Sequence, residues 1–507
     1  MFLKVKTLFR DLVVYGMGDV AIQIVGFLLL PLFTSILTPG DYGVLSLLVT
    51  VELVGKVIFR FGVDASFMRL YYDCGDERSR RRLASTIFLF LLVTNGAVLA
   101  LALSGVPLLA RHLFGREGYA LALALVLVNT FISGFFFIPF HLLRIEGRSL
   151  QFSTLTFSRA ACTVVLRVLF IAVIHLGVLG FILADTVVAL AFTLVLLPWF
   201  GRLIRLTFSR EVLRDALRFG LPRVPHGLAQ QVIGPGTDGY LLRLFLPAPH
   251  ALEKIGAYGI GATFGLTLKL FLSAFEYAWA PFYFATMKES DAKVTFSRMT
   301  TYGVAVLVLM AAGLSAIASD LIRIMARNPG FFTGAEVVPW IAIGVTFQGI
   351  YLLTSIGLNI TRHTEYYPVA TGIAAVVNVG CNMLLIPRVG ILGPAYSNVI
   401  SYAVLALVSM AFSQRFYPIP YEWTRLARVV LAGVVACVLA RSLLPAHMFA
   451  PLGVGARGAI VLVSFPACLA VTGFLRAHEL ARLRLLVAQL RAVRPGRKPD
   501  GPAGPGG

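Results

Sequence analysis

Apolar runs of about 18 to 25 residues recur along nearly the whole chain, each long enough to carry a helix across roughly 30 Å of hydrocarbon. Short segments where Arg, Lys, Pro and Gly collect separate them. Such runs are too long for barrel strands, and a helix satisfies each backbone donor and acceptor within its own segment. The predicted fold is therefore an all-α polytopic membrane protein. The pattern predicts about fourteen transmembrane helices. Six lie at 12–36, 41–66, 84–110, 119–143, 151–174 and 179–200, and six more at 219–245, 256–285, 299–319, 335–358, 367–387 and 391–413. Two follow near 426–445 and 453–475. Between the sixth and seventh, Arg202, Arg205, Arg210, Arg214 and Arg218 recur through a segment predicted to lie as an amphipathic helix on the membrane surface. The expected organisation is a six-helix lobe at 1–200, a connector at 201–218, a second six-helix lobe at 219–413, and helices thirteen and fourteen within 414–475. A tail at 476–507 is basic and then rich in Pro and Gly.

Composition agrees with that pattern. Of 507 residues 58% are hydrophobic and only 13% charged, where a soluble domain carries roughly a quarter. The formal charge of +20 does not point to nucleic acid, because the arginines sit in short blocks between apolar runs, not on one basic domain. An even number of spans places both termini on one side. Assigning that side to the cytoplasm puts the Arg78, Arg80, Arg81, Arg82 block, the connector and the tail from Arg476 to Lys498 there, as the positive-inside rule requires. The first span is too long for a cleaved signal peptide and is expected to be retained. Cys74, Cys162, Cys381, Cys437 and Cys468 are scattered without metal-ligand spacing, so no metal site is expected.

An internal repeat is visible. Leu176-Gly-Val-Leu-Gly180 opens the sixth span and Val389-Gly-Ile-Leu-Gly393 the twelfth; Asp41-Tyr-Gly-Val44 opens the second and Ala257-Tyr-Gly-Ile260 the eighth; Tyr15-Gly16 and Phe219-Gly220 lie near the starts of the first and seventh. Six spans is an even number, so the halves run in the same orientation about an axis along the membrane normal, facing each other across a central cleft. That is transporter architecture.

The chain resembles the polysaccharide transporters of the multidrug/oligosaccharidyl-lipid/polysaccharide (MOP) exporter superfamily, which includes the Wzx-type flippases. The resemblance rests on Leu30-Pro-Leu-Phe-Thr-Ser-Ile-Leu-Thr-Pro-Gly-Asp-Tyr-Gly43, on Gly62-Val-Asp-Ala-Ser-Phe-Met-Arg69, and on Asn378 and Asn382 before Ile386-Pro-Arg-Val-Gly-Ile-Leu-Gly393. It implies an alternating-access carrier in a bacterial inner membrane for undecaprenyl-diphosphate-linked oligosaccharide, serving O-antigen and lipopolysaccharide, capsule or exopolysaccharide assembly. Lipid-linked oligosaccharide, membrane lipids and other polysaccharide-assembly membrane proteins are the implied partners.

Ionisable residues inside the membrane cost at least about 2.5 to 3.5 kcal/mol each, so each needs a reason. Glu52, Lys56 and Arg60 recur every fourth residue and share a helix face. Lys269 maps near Lys56 through the repeat. Together with Arg223, in a span broken by Pro222, Pro225, Gly234, Pro235 and Gly236, these cations are the expected diphosphate site: Lys56, Arg60, Lys269 and Arg223. Competing structural readings pair Lys56 with Glu52 and Lys269 with Glu276, and let Arg223 snorkel. Asp19, Glu52, Asp238 and Glu276, with Gln23, are candidates for an ion or proton site; His226 is a weaker one. Arg167 is expected to pair with Asp185, with Arg159 on the same face. Asn378, Asn382, Asn398 and Gln348 either meet sugar hydroxyls or join helices.

An enzyme would need a hydrophilic loop holding catalytic or metal-binding groups, and the sequence offers none. The expectation is a non-enzymatic carrier without cofactor or catalytic residue, with H+ or Na+ as the coupling ion. A lipid II flippase or a drug/cation antiporter of the same superfamily are the alternatives. The antiporter calls for an acidic, aromatic cavity instead of a cationic one.

Overall fold

The computed structural model describes residues 25–205, 207–246, 250–445 and 448–474. Asp19, Gln23, most of the first expected span and the tail at 476–507 lie outside the described residues.

α1 (Leu30–Ile36) ends where Thr38 and Asp41 cap the next helix reciprocally: the Asp41 amide donates to Thr38 Oγ1 at 3.2 Å, and the Thr38 amide to Asp41 Oδ2 at 3.0 Å. With Pro39 at its first position, α2 (Pro39–Arg60) has a strong local start. It breaks at Phe61 and Gly62, both at positive φ (46° and 68°), and resumes as α3 (Val63–Asp73). Gly62 is required twice over, because a Cβ there would lie 2.2 Å from the Gly220 carbonyl oxygen.

α4 (Glu77–Ser104) begins seven residues earlier than the apolar run because Asp76 caps it. α5 (Val106–Phe114) follows, then α6 (Ala120–Ser133) and α7 (Phe137–Ile145), which form one span. α8 (Ser149–Val168) runs into a π turn at Leu169–Val173, and α9 (Gly177–Leu203) completes this half. α10 (Arg210–Gly220) is the expected amphipathic connector helix: Ala216 and Gly220 are buried while Arg210, Arg214 and Arg218 are exposed.

The expected span 219–245 is two pieces, α11 (Arg223–Ile233) and α12 (Asp238–Phe245), separated at Gly234-Pro235-Gly236. α13 (Ala251–Gly265) and α14 (Leu268–Thr286) are bent by 45°. α15 (Ala292–Met325) is far longer than the expected 299–319. α16 (Val338–Thr354) with α17 (Ile356–Ile360), α18 (Tyr366–Val389), α19 (Leu392–Phe416), α20 (Trp423–Ser442) and α21 (Ala450–Val471) follow. Among the described residues, eleven helical segments are long and apolar enough to cross a membrane, or twelve with the bent α13–α14 pair taken as one. The two further expected spans are the first, mostly undescribed, and the broken α11–α12. The described residues contain no strand.

Two ends of the bundle can be told apart by α10, which marks the connector side. On the opposite side α2 and α13 meet backbone to backbone: a Cβ on Gly43 would lie 1.9 Å from the Leu252 carbonyl oxygen, and one on Gly256 1.9 Å from that of Pro39. Thr34 Oγ1 donates to the Met325 carbonyl at 3.1 Å and accepts from the Arg327 amide at 3.3 Å. An apolar core through Phe33, Val44, Leu48, Ile255, Tyr258 and Ile341 fills the space behind these contacts. Toward the connector side the continuations part. α3 packs on α4, α7 and α10, whereas α14 packs on α15 and α16. The continuations of α2 and α13 thus pack against different partners toward the connector side.

α20 and α21 are fixed to α15 along its length. Near the connector side Thr301 Oγ1 donates to Glu422 Oε2 at 2.9 Å, and Glu422 pairs with Arg425 at 2.8 Å. Midway, Gly433 lets Val308 approach. At the far end Arg457 pairs with fully buried Asp320 and donates to the Pro445 carbonyl at 2.9 Å.

Candidate functional site

Lys56 lies midway between Pro39 and Asp73, and Lys269 midway between Ala251 and Thr286, so both sit near the middle of their spans. Transport sites favour that depth. The face of α2 toward the cleft is a ladder of alternating charge. Lys56 Nζ lies 2.5 Å from Glu52 Oε1, and Arg60 Nη1 3.5 Å from Asp64 Oδ2. All four side chains are between 30% and 39% exposed, open enough to be reached yet held in pairs. Asp64, one turn beyond Arg60, is a partner the sequence reading did not assign.

α11 and α12 lean on this same helix. Thr50 Oγ1 donates to the Gly236 carbonyl at 2.6 Å, using a backbone group that the break leaves free. Arg223, at the start of α11, is exposed and stacks on the Phe219 ring at 4.3 Å. Arg69 of α3 stacks on the same ring at 4.6 Å. Among the described residues neither guanidinium has a carboxylate within ion-pair distance. Arg69 is a further cation beside Arg223 that sequence reasoning passed over, although it closes the Gly62–Arg69 motif.

Lys269 is exposed on the face of α14 that also presents Ser273 and Glu276, while Leu268, Leu272, Trp279 and Tyr283 of the other face are buried. Glu276 forms no ion pair with it. Arg167 of α8 holds Asp185 of α9 through both oxygens at 2.8 Å and stacks on Phe181 at 3.7 Å. Arg159, two turns earlier, stacks on Phe136 at 5.0 Å and feels both Asp185 and Glu52. Among the described residues the charges on α2 are paired, whereas the cations Lys269, Arg223 and Arg69 and the carboxylate Glu276 have no partner of opposite charge within ion-pair distance.

Asp238 stands apart from these. It opens α12 immediately after the Gly-Pro-Gly break and is completely buried. Its Oδ2 accepts from Asn398 Nδ2 at 2.6 Å and from the Tyr258 hydroxyl, while Oδ1 has no partner. Asn398 Oδ1 in turn accepts from Asn378 Nδ2 at 3.2 Å, and Asn378 Oδ1 from Asn382 Nδ2 at 2.9 Å. Four helices, α12, α13, α18 and α19, meet in this chain of amides. A carboxylate buried without a counter-cation is stable only if a proton or a cation joins it. Among the described residues no three His, Cys, Asp or Glu gather as a metal site. Asn378, Asn382 and Asn398 thus join helices around Asp238. His226 Nδ1 and Gln348 Oε1 are buried without partners and belong to neither group.

Residues 32–238 match the family described as "Polysaccharide biosynthesis protein". The whole fold matches solved transporters. The lipid II flippase MurJ in an inward closed conformation superposes with a TM-score of 0.72 at 13% identity, over 90% of this chain and 99% of that one. The chain has the fold of the MOP superfamily transporters. An inward-facing multidrug resistance MATE transporter of that superfamily gives a TM-score of 0.63 at 16% identity, over 82% and 98% of the two chains. A MOP superfamily transporter from Pyrococcus furiosus, whose structure is described by a binding pocket of reverse polarity, gives 0.52 at 16% identity, over 84% and 96%. No curated protein matches the chain in sequence.

Proposed function

We propose that this protein is a flippase carrying undecaprenyl-diphosphate-linked oligosaccharide across a bacterial inner membrane for surface-polysaccharide assembly. What supports it is the polysaccharide-biosynthesis family match over residues 32–238 together with Lys269, Arg223 and Arg69, cations that among the described residues have no carboxylate within ion-pair distance. A diphosphate brings about two negative charges and needs donors from both sides. Lys56 and Arg60 offer them from one lobe (1–200), Lys269 and Arg223 from the other (219–413), with the connector at 201–218 between. The arginine blocks favour a cytoplasmic connector side and cytoplasmic termini, so the cleft takes its substrate from the cytoplasm. The lipid tail stays in the bilayer beside the lobes, and rocking of the lobes exposes the sugar to the far side.

Loading follows from the α2 ladder. In the resting state Glu52 neutralises Lys56; an arriving diphosphate competes for that lysine and sets the carboxylate free. Asp238 serves as the coupling site, where a proton or Na+ supplies the missing counter-charge. Its amide chain spans the helices that must shift when the lobes rock, so ion occupancy biases one arrangement over the other.

A lipid II flippase is the second reading, favoured by the TM-score of 0.72 to that protein. The test is translocation by purified protein in vesicles, with lipid-linked oligosaccharide and lipid II as separate cargoes. Wild type is compared with Lys56→Ala, Arg60→Ala, Lys269→Ala and Arg223→Ala. Transport of the oligosaccharide lipid, lost in these variants, is the expected result. Transport of lipid II alone would favour the second reading, and transport of neither would overturn both.

A further inference from the structure

A basic cavity lies on the connector side, away from Lys56 and Lys269. About 860 Å³ in volume, it is lined by Glu77, Arg78, Ser79, Arg81 and Arg82 of the first turns of α4 and by Arg205, Thr207 and Phe208 of the segment leading into α10. Arg81 is satisfied by Glu77 at 3.1 Å, and Arg80 is turned away over Tyr71 at 5.0 Å. Arg78, Arg82 and Arg205 are exposed and, among the described residues, have no carboxylate within ion-pair distance.

This cavity is held in shape by the protein itself. The Arg205 amide donates to Ser85 Oγ at 2.8 Å and the Ser209 amide to Thr86 Oγ1 at 3.1 Å, and both hydroxyl residues of α4 are fully buried. Those two hydrogen bonds pin an otherwise irregular segment against α4. They keep Arg205 in the wall of the cavity that also holds Arg78 and Arg82, four cations with Arg81 against the single carboxylate of Glu77.

We propose that this cavity binds the phosphate headgroup of an anionic phospholipid. Guanidinium groups match phosphate oxygens through paired hydrogen bonds, and basic pockets at this level of a membrane protein suit lipid headgroups. The surroundings favour a lipid over a soluble phosphate. Phe208 at the rim is 50% exposed. Immediately along the chain, an apolar trough of about 800 Å³ runs over Leu213, Leu217 and Leu221 beneath Arg210, Arg214 and Arg218. Cations beside an apolar trough fit a charged head with acyl chains. Bound there, the lipid holds α10 in place. α10 in turn is locked to the α2–α3 hinge by the Ser66 hydroxyl on the Ala216 carbonyl at 2.7 Å and by the Gly62–Gly220 contact.

The test uses the full-length protein in detergent, titrated with phosphatidylglycerol, phosphatidylcholine or inorganic phosphate and read by native mass spectrometry. Wild type is compared with Arg78→Gln/Arg82→Gln/Arg205→Gln, with Arg205→Gln alone in case the triple variant misfolds, and with Arg116→Gln as a control arginine beyond the cavity. The expected result is at least tenfold tighter retention of phosphatidylglycerol than phosphatidylcholine in wild type and the control. That preference should vanish in the triple variant and fall severalfold in the single one. Undiminished preference in the variants would overturn the site, and displacement of phosphatidylglycerol by millimolar inorganic phosphate would overturn the lipid assignment. Binding is read without transport, so either failure leaves the flippase reading untouched.

Discussion

The backbone crossing at Gly43 and Gly256 makes a sharp demand on Gly43→Ala. The added Cβ would lie 1.9 Å from the Leu252 carbonyl oxygen, whereas a carbon and a non-bonded oxygen settle at roughly 3.3 Å. The helices must therefore part by about 1.4 Å, the difference between those distances, and only where the halves are in contact. Overpacking of this kind costs about 1–3 kcal/mol. Because the cost falls on the arrangement closed on the far side and not on one where α2 and α13 have separated, it shifts the balance between them by roughly five- to 150-fold. A single reporter reads this shift: Ser46→Cys, one turn beyond Gly43, in a background where the five native cysteines are replaced. A membrane-impermeant maleimide added from the side opposite the connector should label it at least fivefold faster in the Gly43→Ala protein. Equal labelling rates together with an unchanged melting temperature would show that the two backbones do not meet as described.

Three further changes probe other parts of the structure. Glu52→Gln frees Lys56 from its 2.5 Å partner; binding of the lipid-linked substrate should tighten while turnover slows, and weaker binding would refute the competition between carboxylate and diphosphate. Asp238→Asn keeps the size of the side chain but removes the buried charge, so transport should lose its dependence on a H+ or Na+ gradient, measured by collapsing each gradient in turn; undiminished dependence places coupling elsewhere. Asp320→Ala strands Arg457, only 6% exposed, without its partner, which should cost about 3–5 kcal/mol. A thermal melt that moves by less than a few degrees would mean that the Asp320–Arg457 pair does not hold α21 in place.

What the sequence made legible were features set by neighbours along the chain. Long apolar runs became helices. The connector became α10, because Arg210, Arg214 and Arg218 recur with Leu213, Leu217 and Leu221 at helical spacing. Pro and Gly at 222–236 did interrupt the seventh span. Even the charge ladder on α2 follows from four-residue spacing, which extends to Asp64 as readily as to Glu52. The rest depends on residues far apart in sequence, which hydropathy cannot bring together. Asp238 and Asn398 are separated by 160 positions, yet they share a hydrogen bond of 2.6 Å; Ser85 and Arg205, 120 positions apart, shape the basic cavity. Periodicity also cannot separate an intramembrane charge that is already paired from one awaiting a ligand. Lys56 and Lys269 occupy related places in the two expected lobes, but only the first has a carboxylate at its tip. If the diphosphate is gripped from both sides, Lys269 can engage without breaking a bond, whereas Lys56 must first leave Glu52. The order of engagement, Lys269 before Lys56, follows from that asymmetry.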